Sequence, residues 1–285
     1  MDRIAIVGLG LIGGSLALAL RDRRPSLRIL GVDLDPESLR LATKAGAIEQ
    51  GSSPEEAALE SCDVVVLATP AAGLMEAILP AARRMRPTAV LTDVCGAKEA
   101  VCGRAAQQDR VVFVGAHPMA GTEYRGFAAA LPSLFQGATV AICPPVGRAE
   151  GRGAADAAVR DLWLAAGAGS LLDIDPSTHD RAVTYASHLP YLAAAAVVEA
   201  LRDASESELA RALAAGGFRD TTRLAGDGTV SGAAALNRHV PTAARDLSLA
   251  LRALADELES RPAEALERLG KLADERRRMR LPKPR

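Results

Sequence analysis

The chain has 285 residues, enough for two domains of ordinary size, and 49% of them are hydrophobic, enough for a sizeable core. Its formal net charge of −1 argues against an electrostatic nucleic-acid binder, and charges interrupt every long apolar run, so no membrane-spanning helix is expected. Aromatic residues are only 3% of the chain, so Ala, Leu and Val must fill the interior.

The first element is a buried strand, Ile4-Ala5-Ile6-Val7, which runs straight into Gly8-Leu9-Gly10-Leu11-Ile12-Gly13-Gly14. An apolar helix opens at Ser15-Leu16-Ala17-Leu18. A G-x-G-x-x-G turn between a strand and a helix is the signature of dinucleotide binding. The glycines permit a tight turn and close backbone approach, and the helix N-terminus offers N–H groups to phosphate. A second strand, 28–33, ends at Asp33. A carboxylate there accepts both ribose hydroxyls and repels a 2′-phosphate, which selects NAD over NADP. Asp35 rather than Asp33 is the expected cap of the helix that follows, with Pro36 in its first turn. The cofactor-binding set is therefore Gly8, Leu9, Gly10, Leu11, Ile12, Gly13 and Asp33. Ala68, Thr69, Pro70 and Asp93, at the ends of two later strands, complete it.

Short apolar runs predict strands at 4–7, 28–33, 63–68, 89–93, 111–115 and 138–142, and helices at 11–24, 36–46, 54–60, 72–86 and 96–108. This alternation predicts an α/β fold, a Rossmann-type doubly wound parallel sheet covered on both faces. Residues 144–153 read as an exposed loop, followed by a helix at 154–167 and a strand at 168–174, which completes a dinucleotide-binding domain at 1–174. From Pro176 the pattern is helical only, with helices at 177–203, 205–216, 219–226, 232–258 and 262–278. The expected second domain, 175–285, is an all-helical, Ala-rich substrate and dimerisation domain, and a homodimer through it is expected. The basic stretch 276–285 reads as a solvated helix end. Four cysteines without C-x-x-C spacing, and an N-terminal strand that already carries the glycine turn, point to a cytoplasmic protein with reduced thiols. The four histidines are scattered, and no metal site is expected.

A dinucleotide turn implies redox chemistry without naming what is oxidised. His117, in Gly115-Ala116-His117-Pro118-Met119-Ala120-Gly121, follows the strand at 111–115 and so falls at the carboxyl edge of the sheet. A histidine there can take a hydroxyl proton as hydride leaves, and it is the candidate catalytic residue.

Four segments together resemble the prephenate/arogenate dehydrogenase family: Gly-Leu-Gly-Leu-Ile-Gly-Gly-Ser-Leu at 8–16, His-Pro-Met-Ala-Gly at 117–121, Ser187-His188-Leu189-Pro190, and Gly216-Gly217-Phe218-Arg219-Asp220-Thr221-Thr222-Arg223. The resemblance implies oxidative decarboxylation of prephenate to 4-hydroxyphenylpyruvate with NAD, in tyrosine biosynthesis. The alternative it implies is oxidation of arogenate directly to tyrosine. It makes His117 the proton acceptor and Arg223 the anchor for a substrate carboxylate. Arg219 would assist and Asp220 would orient Arg223. His188 and Glu123 would line the substrate site. Asp180 is matched to an orienting position at the start of the helical domain. Where the family often has a serine this chain has Gly96, and Thr92, Thr122 or a water are the candidates to replace that hydroxyl. Tyr191 stands where the family often has a second histidine, and Ser231-Gly232-Ala233-Ala234 where it often has a tryptophan. These departures leave prephenate against arogenate open. The length of the chain leaves no room to expect a fused chorismate mutase or a regulatory domain, so feedback by tyrosine would act at the active site. More remote readings are another NAD-dependent reductase of the β-hydroxyacid dehydrogenase type and a non-catalytic NAD-binding protein. The first usually relies on a helical-domain lysine, and the last half of this chain offers only Lys271 and Lys283.

Overall fold

The computed structural model describes every residue except 123, 227 and 281–285, so Glu123 lies outside the described residues. The chain forms two compact units, Met1–Val240 and Pro241–Arg285. In the first, a seven-stranded sheet is built from β1 (Arg3–Val7), β2 (Arg28–Val32), β3 (Gln50–Ser52), β4 (Val64–Leu67), β5 (Val90–Asp93), β6 (Val112–Val114) and β9 (Val146–Gly147). Its order is β3-β2-β1-β4-β5-β6-β9, all parallel except the β6–β9 pair. Along β1, Ile4 and Ile6 enter the core on one face while Ala5 enters the core on the other. Val64 and Val66 divide from Val65 and Leu67 in the same way. α1 (Leu11–Arg23) and α5 (Arg152–Ala166) supply Leu16, Leu20 and Trp163 to the first face, and α3 (Ala71–Arg84) and α4 (Lys98–Ala105) supply Leu74, Ile78 and Val101 to the second. α2 (Pro36–Lys44) is capped by Asp35, whose carboxylate accepts Glu37 N–H and Ser38 N–H, each at 3.1 Å.

Several features depart from the expected pattern. The helix expected at 54–60 is a turn closing on a single 3-10 turn at Leu59–Ser61, because Arg84 takes the carbonyls of Pro54, Glu55 and Ala57 that a helix would need. The 144–153 loop contains β9, paired antiparallel to β6. A second sheet, β10-β8-β7, stands apart from the first, formed by β7 (Ala116–Pro118), β8 (Thr139–Ile142) and β10 (Ser170–Asp173). His117 therefore sits within a short strand of its own, paired with Ala141. The break between β6 and β7 falls at Gly115, where a Cβ would meet Cys102 Sγ at 2.8 Å.

The expected helix 177–203 is continuous but passes through a π-helical turn, with α6 (Pro176–Val183) before Thr184–His188 and α7 (Leu189–Arg202) after it. Leu189 N–H reaches back to Thr184 O. Pro190 has no N–H to give, so the turn widens around it. α8 (Ser207–Ala212), α9 (Gly216–Thr222) and α10 (Gly228–Leu236) follow, with a 3-10 turn at Arg223–Gly226 before α10. The helix expected at 232–258 is interrupted at Asn237, whose side-chain oxygen accepts His239 N–H at 3.0 Å and whose carbonyl accepts Val240 N–H at 3.2 Å. By packing, residues 175–240 go with the sheet, so the compact units divide later than the expected boundary at 174, where strands give way to helices. The second unit holds α11 (Val240–Ser260, from Pro241 on) and α12 (Pro262–Arg278), joined at Arg261. Arg268 bonds Glu257 across this hairpin at 2.9 Å.

Candidate active site

β1 lies between β2 and β4, so the chain leaves the sheet in opposite directions on its two sides and a crevice opens at the carboxyl ends of the strands. The glycine turn fills that position. Gly8 has φ +96°, and a Cβ on it would meet the Ala68 carbonyl carbon at 2.7 Å. A Cβ on Gly13 would stand 1.9 Å from Gly8 O, whereas the Cβ position of Gly10 has nothing within 4 Å. The turn is thus packed from below and open above. No side chain caps α1, and its first turn holds no acidic residue, so its N-terminus favours an anion. Asp33 accepts Leu9 N–H at 2.6 Å through one oxygen and Asp35 N–H at 2.9 Å through the other. Each oxygen keeps a lone pair for a hydroxyl. Arg40, the nearest cation on α2, is held by Glu37 at 2.6 and 2.7 Å rather than offered to a phosphate. Thr69 Oγ1, just past the end of β4, is buried without a partner among the described residues. These residues fit a dinucleotide whose adenosine ribose carries free hydroxyls. Gly13→Ala is expected to weaken NAD binding roughly ten- to a hundredfold, the equivalent of ~1–3 kcal/mol of overpacking, as read by fluorescence titration.

Beyond β5, a chain of buried polar groups converges on His117. Its Nδ1 lies 3.0 Å from His179 Nε2, and His179 Nδ1 lies 2.8 Å from Asp180 Oδ1. His179 and Asp180 are 2% and 1% exposed, so their partners must come from protein. Asp180 also accepts Lys98 N–H at 2.7 Å and Glu99 N–H at 3.0 Å, so a carboxylate from α6 caps the N-terminus of α4. Burial alone would raise the Asp180 carboxyl. The bonds from His179, Lys98 N–H and Glu99 N–H outweigh it and hold the group below its ordinary range. Burial, then the neighbouring His179, Lys98 and His188, push the His117 imidazole well below the ordinary histidine range.

With Asp180 ionised and the His117 ring neutral, the following assignment satisfies every atom. His179 Nδ1–H donates to Asp180, His179 Nε2 accepts from His117 Nδ1–H, and His117 Nε2 is left with its lone pair. That edge faces Gly96, whose Cβ position lies 3.4 Å from His117 Nε2. A side chain at 96 would stand directly against the base, and glycine leaves the place open. Thr92 does not supply the missing hydroxyl, because its Oγ1 donates to Val114 O at 2.7 Å in a fully buried position. Thr122 Oγ1 accepts Tyr124 N–H at 3.3 Å.

Asp93, expected at the cofactor, is wholly buried and bound elsewhere. Lys98 Nζ lies 2.7 and 2.5 Å from its two oxygens, and Cys95 N–H and Ala116 N–H donate to it at 2.8 and 3.1 Å. Lys98 also donates to Ala116 O at 2.7 Å, so this ion pair holds the residue before His117 from both sides. Although burial opposes its charge, Asp93 keeps the Lys98 ammonium above its ordinary range.

His188 closes the π turn at 1% exposure, with Nδ1 3.2 Å from Asn237 Nδ2. Tyr191 lies partly exposed in the first turn of α7. Arg219 and Asp220 are exposed on α9, and Arg223 is exposed at the start of the next 3-10 turn, a segment packed against α7. The i,i+3 pair expected between Asp220 and Arg223 is not formed: Asp220 makes no ion pair among the described residues. Sequence reading missed the parts played by His179, Lys98 and Asn237. The available signals were a His-Asp pair at a helix start and single polar residues set among apolar ones.

A doubly wound sheet with an open glycine turn at its crevice, and a deprotonated imidazole at the same edge, defines a Rossmann-type dinucleotide-binding protein with a built-in base. The family model of the prephenate dehydrogenase nucleotide-binding domain matches residues 16–172, and that of the prephenate dehydrogenase dimerization domain matches 175–268. The chain belongs to the prephenate dehydrogenase family. It is 33% identical over 228 residues to a prephenate dehydrogenase of Bacillus subtilis, covering 79% of this chain and 60% of that protein. A cyclohexadienyl dehydrogenase of Zymomonas mobilis is 31% identical over 233 residues, covering 78% of this chain and 75% of that one. The chain thus spans about 60% of the length of the Bacillus relative. A crystal structure of prephenate dehydrogenase from A. aeolicus in complex with hydroxyphenyl propionate and NAD+ superposes with a TM-score of 0.81 at 28% identity, covering 97% of each chain. One of Synechocystis arogenate dehydrogenase gives 0.75 at 28% identity, covering 96% of this chain and 98% of that one.

Proposed function

We propose that this chain is an NAD-dependent prephenate dehydrogenase, oxidising the ring carbinol of prephenate with loss of carbon dioxide to give 4-hydroxyphenylpyruvate in tyrosine biosynthesis. The observation that carries the reading is the Asp180–His179–His117 chain, which leaves a lone pair on His117 Nε2 where a hydroxyl proton must be taken. NAD, held by the Gly8–Gly13 turn, Asp33 and the 68–70 segment, supplies a hydride acceptor when bound. His117 takes the carbinol proton at Nε2 as the C–H bond breaks. The resulting imidazolium keeps its Nδ1–H on His179, and the positive charge is shared toward ionised Asp180. The ring carboxylate then leaves as carbon dioxide, its bonding electrons completing the aromatic ring. His117 returns its proton to the new phenolic oxygen. No net proton is released, and the base is regenerated.

The substrate carries two carboxylates, so cationic anchors are required. Arg223 is the proposed anchor, with Arg219, His188, Tyr191 and Glu123 as further substrate-site residues. The family relation and the packing of the Arg223 turn on α7 support this. The domain division at 174/175, a homodimer through the helical half and a cytoplasmic location complete the proposal. A two-helix unit that leaves Leu249, Leu251, Leu258, Leu266 and Leu272 about half exposed or more has apolar surface for a second copy to cover. No helix among the described residues is long and apolar enough to cross a membrane. Arogenate is the second reading, favoured by the structural likeness to an arogenate dehydrogenase and by Tyr191, a neutral side chain where the family often has a histidine.

The test is NADH formation by the purified chain with prephenate and, separately, arogenate. Turnover of prephenate supports the proposal, turnover of arogenate alone transfers it to the second reading, and turnover of neither overturns both. Arg223→Ala is expected to raise KM about ten- to a hundredfold with a smaller change in kcat, as for a lost charge-assisted hydrogen bond.

A further inference from the structure

Asn237 is 1% exposed and makes four hydrogen-bonding contacts through its side chain. Its oxygen accepts His239 N–H at 3.0 Å, and its nitrogen donates to Asp180 O at 2.8 Å. These two bonds fix the amide's orientation, since turning it over would set oxygen against the Asp180 carbonyl and nitrogen against an N–H. The remaining amide hydrogen faces Thr184 Oγ1 at 3.0 Å and His188 Nδ1 at 3.2 Å. Thr184 Oγ1 already donates to Asp180 O at 2.7 Å, so it meets Asn237 as an acceptor. His188 Nδ1 must therefore accept as well, and the proton of the neutral ring is on Nε2. That Nε2 makes no hydrogen bond among the described residues, and it is not one of their fully buried unpartnered atoms.

We infer that Asn237 is a positioning residue that locks His188 as the neutral Nε2–H tautomer, so that His188 offers an uncharged hydrogen-bond donor to an acceptor oxygen of the substrate. The assignment of that oxygen to the substrate rests on the function proposed above, while the tautomer does not. Protonating His188 would aim Nδ1–H at the Asn237 NH2 group. Turning the amide to relieve this would forfeit the bonds to Asp180 O and His239 N–H. The charged and titratable groups around His188 are Asp180 and His179 of α6 and His117 of β7. Burial, despite Asp180 and together with His179, lowers the His188 imidazole from its ordinary value, in keeping with a ring that stays neutral. The π turn contributes directly: it places His188 and Thr184 where a single amide from the end of α10 reaches both. The division of labour follows. Arginine meets the substrate's charge, His117 moves the proton, and His188 does neither but gives direction.

The chain has four histidines, so 15N-histidine-labelled protein gives an assignable spectrum. In the wild-type protein without ligands, His188 is expected as the Nε2–H tautomer at neutral pH, with Nδ1 unprotonated. In Asn237→Asp the new carboxylate draws a proton to Nδ1, and the His188 titration moves upward. Where the substrate is turned over, Asn237→Ala is expected to raise KM about tenfold with kcat changed less than about twofold. An Nδ1–H or doubly protonated His188 in the wild-type protein overturns the inference even if no variant folds. An unchanged His188 titration in folded Asn237→Asp overturns it too. Failure to turn over prephenate or arogenate bears on the proposed function and leaves the tautomer measurement intact.

Discussion

Replacing His117 with Asn is expected to lower kcat by about 10²–10⁴-fold, the usual contribution of a positioned general base, while leaving NAD affinity nearly unchanged. Asn can still donate toward His179 Nε2, so the buried chain to Asp180 survives, but it has no lone pair of useful basicity where Nε2 was. NAD binding is expected to persist because the glycine turn and Asp33 are held by bonds that do not involve β7. The pH dependence follows from the direction of the shift. His117 is pushed well below the ordinary histidine value, so its basic form persists as pH falls through about 6.5, and kcat/KM in the wild type is expected to decline only at lower pH. Folding stability responds with the same sign. His117 and His188 bind protons more weakly in the folded chain than in the unfolded one, so their contribution is complete above about 6.5. It is lost as pH falls from there toward their folded values.

Lys98→Met is expected to destabilise the protein by about 3–5 kcal/mol, the cost of leaving a buried charge without its partner. Both members of the Lys98–Asp93 pair are fully buried, and methionine matches the length of the stem without replacing the ammonium. Asp93 would keep only its bonds from Cys95 N–H and Ala116 N–H. Thermal unfolding should fall by roughly 10 °C for a chain of this size, and addition of Asp93→Asn should recover part of the loss. Activity should fall as well, because Ala116, held by the pair through both its N–H and its carbonyl, directly precedes His117. A Lys98→Met protein as stable as the wild type would contradict a stabilising role for the pair.

Features set by local sequence were legible before the structure. The glycine turn needs only its flanking strand and helix, and Asp35 with Pro36 marks a helix start through neighbours two and three residues away. The alternation of strands and helices indicated a doubly wound parallel sheet, because Val- and Ile-rich strands must be covered on both faces, whereas the strand order appears only in the fold. What the sequence concealed depends on distant contacts. His179 meets His117 across 62 positions, and Asn237 meets Asp180 across 57. No periodicity encodes such meetings. Asp93 reads as a strand-end carboxylate facing a cofactor, and only the fold shows Lys98 folded back beneath it. The expected helix at 54–60 failed for a related reason, since a single arginine thirty residues on claims its carbonyls. The strand break at Gly115 puts His117 in a second sheet, paired with Ala141, which the run of apolar residues at 111–115 does not reveal.

In the proposed reaction the ring carbinol hydrogen goes to NAD while His117 takes the hydroxyl proton. The most direct measurement uses prephenate carrying deuterium at the carbinol carbon, with mass analysis of the nucleotide and capture of carbon dioxide. One deuterium is expected in each reduced nucleotide, with equal amounts of carbon dioxide and 4-hydroxyphenylpyruvate, and all three are expected to be lost in His117→Asn. Reduced nucleotide without deuterium, or undiminished turnover in His117→Asn, would contradict it.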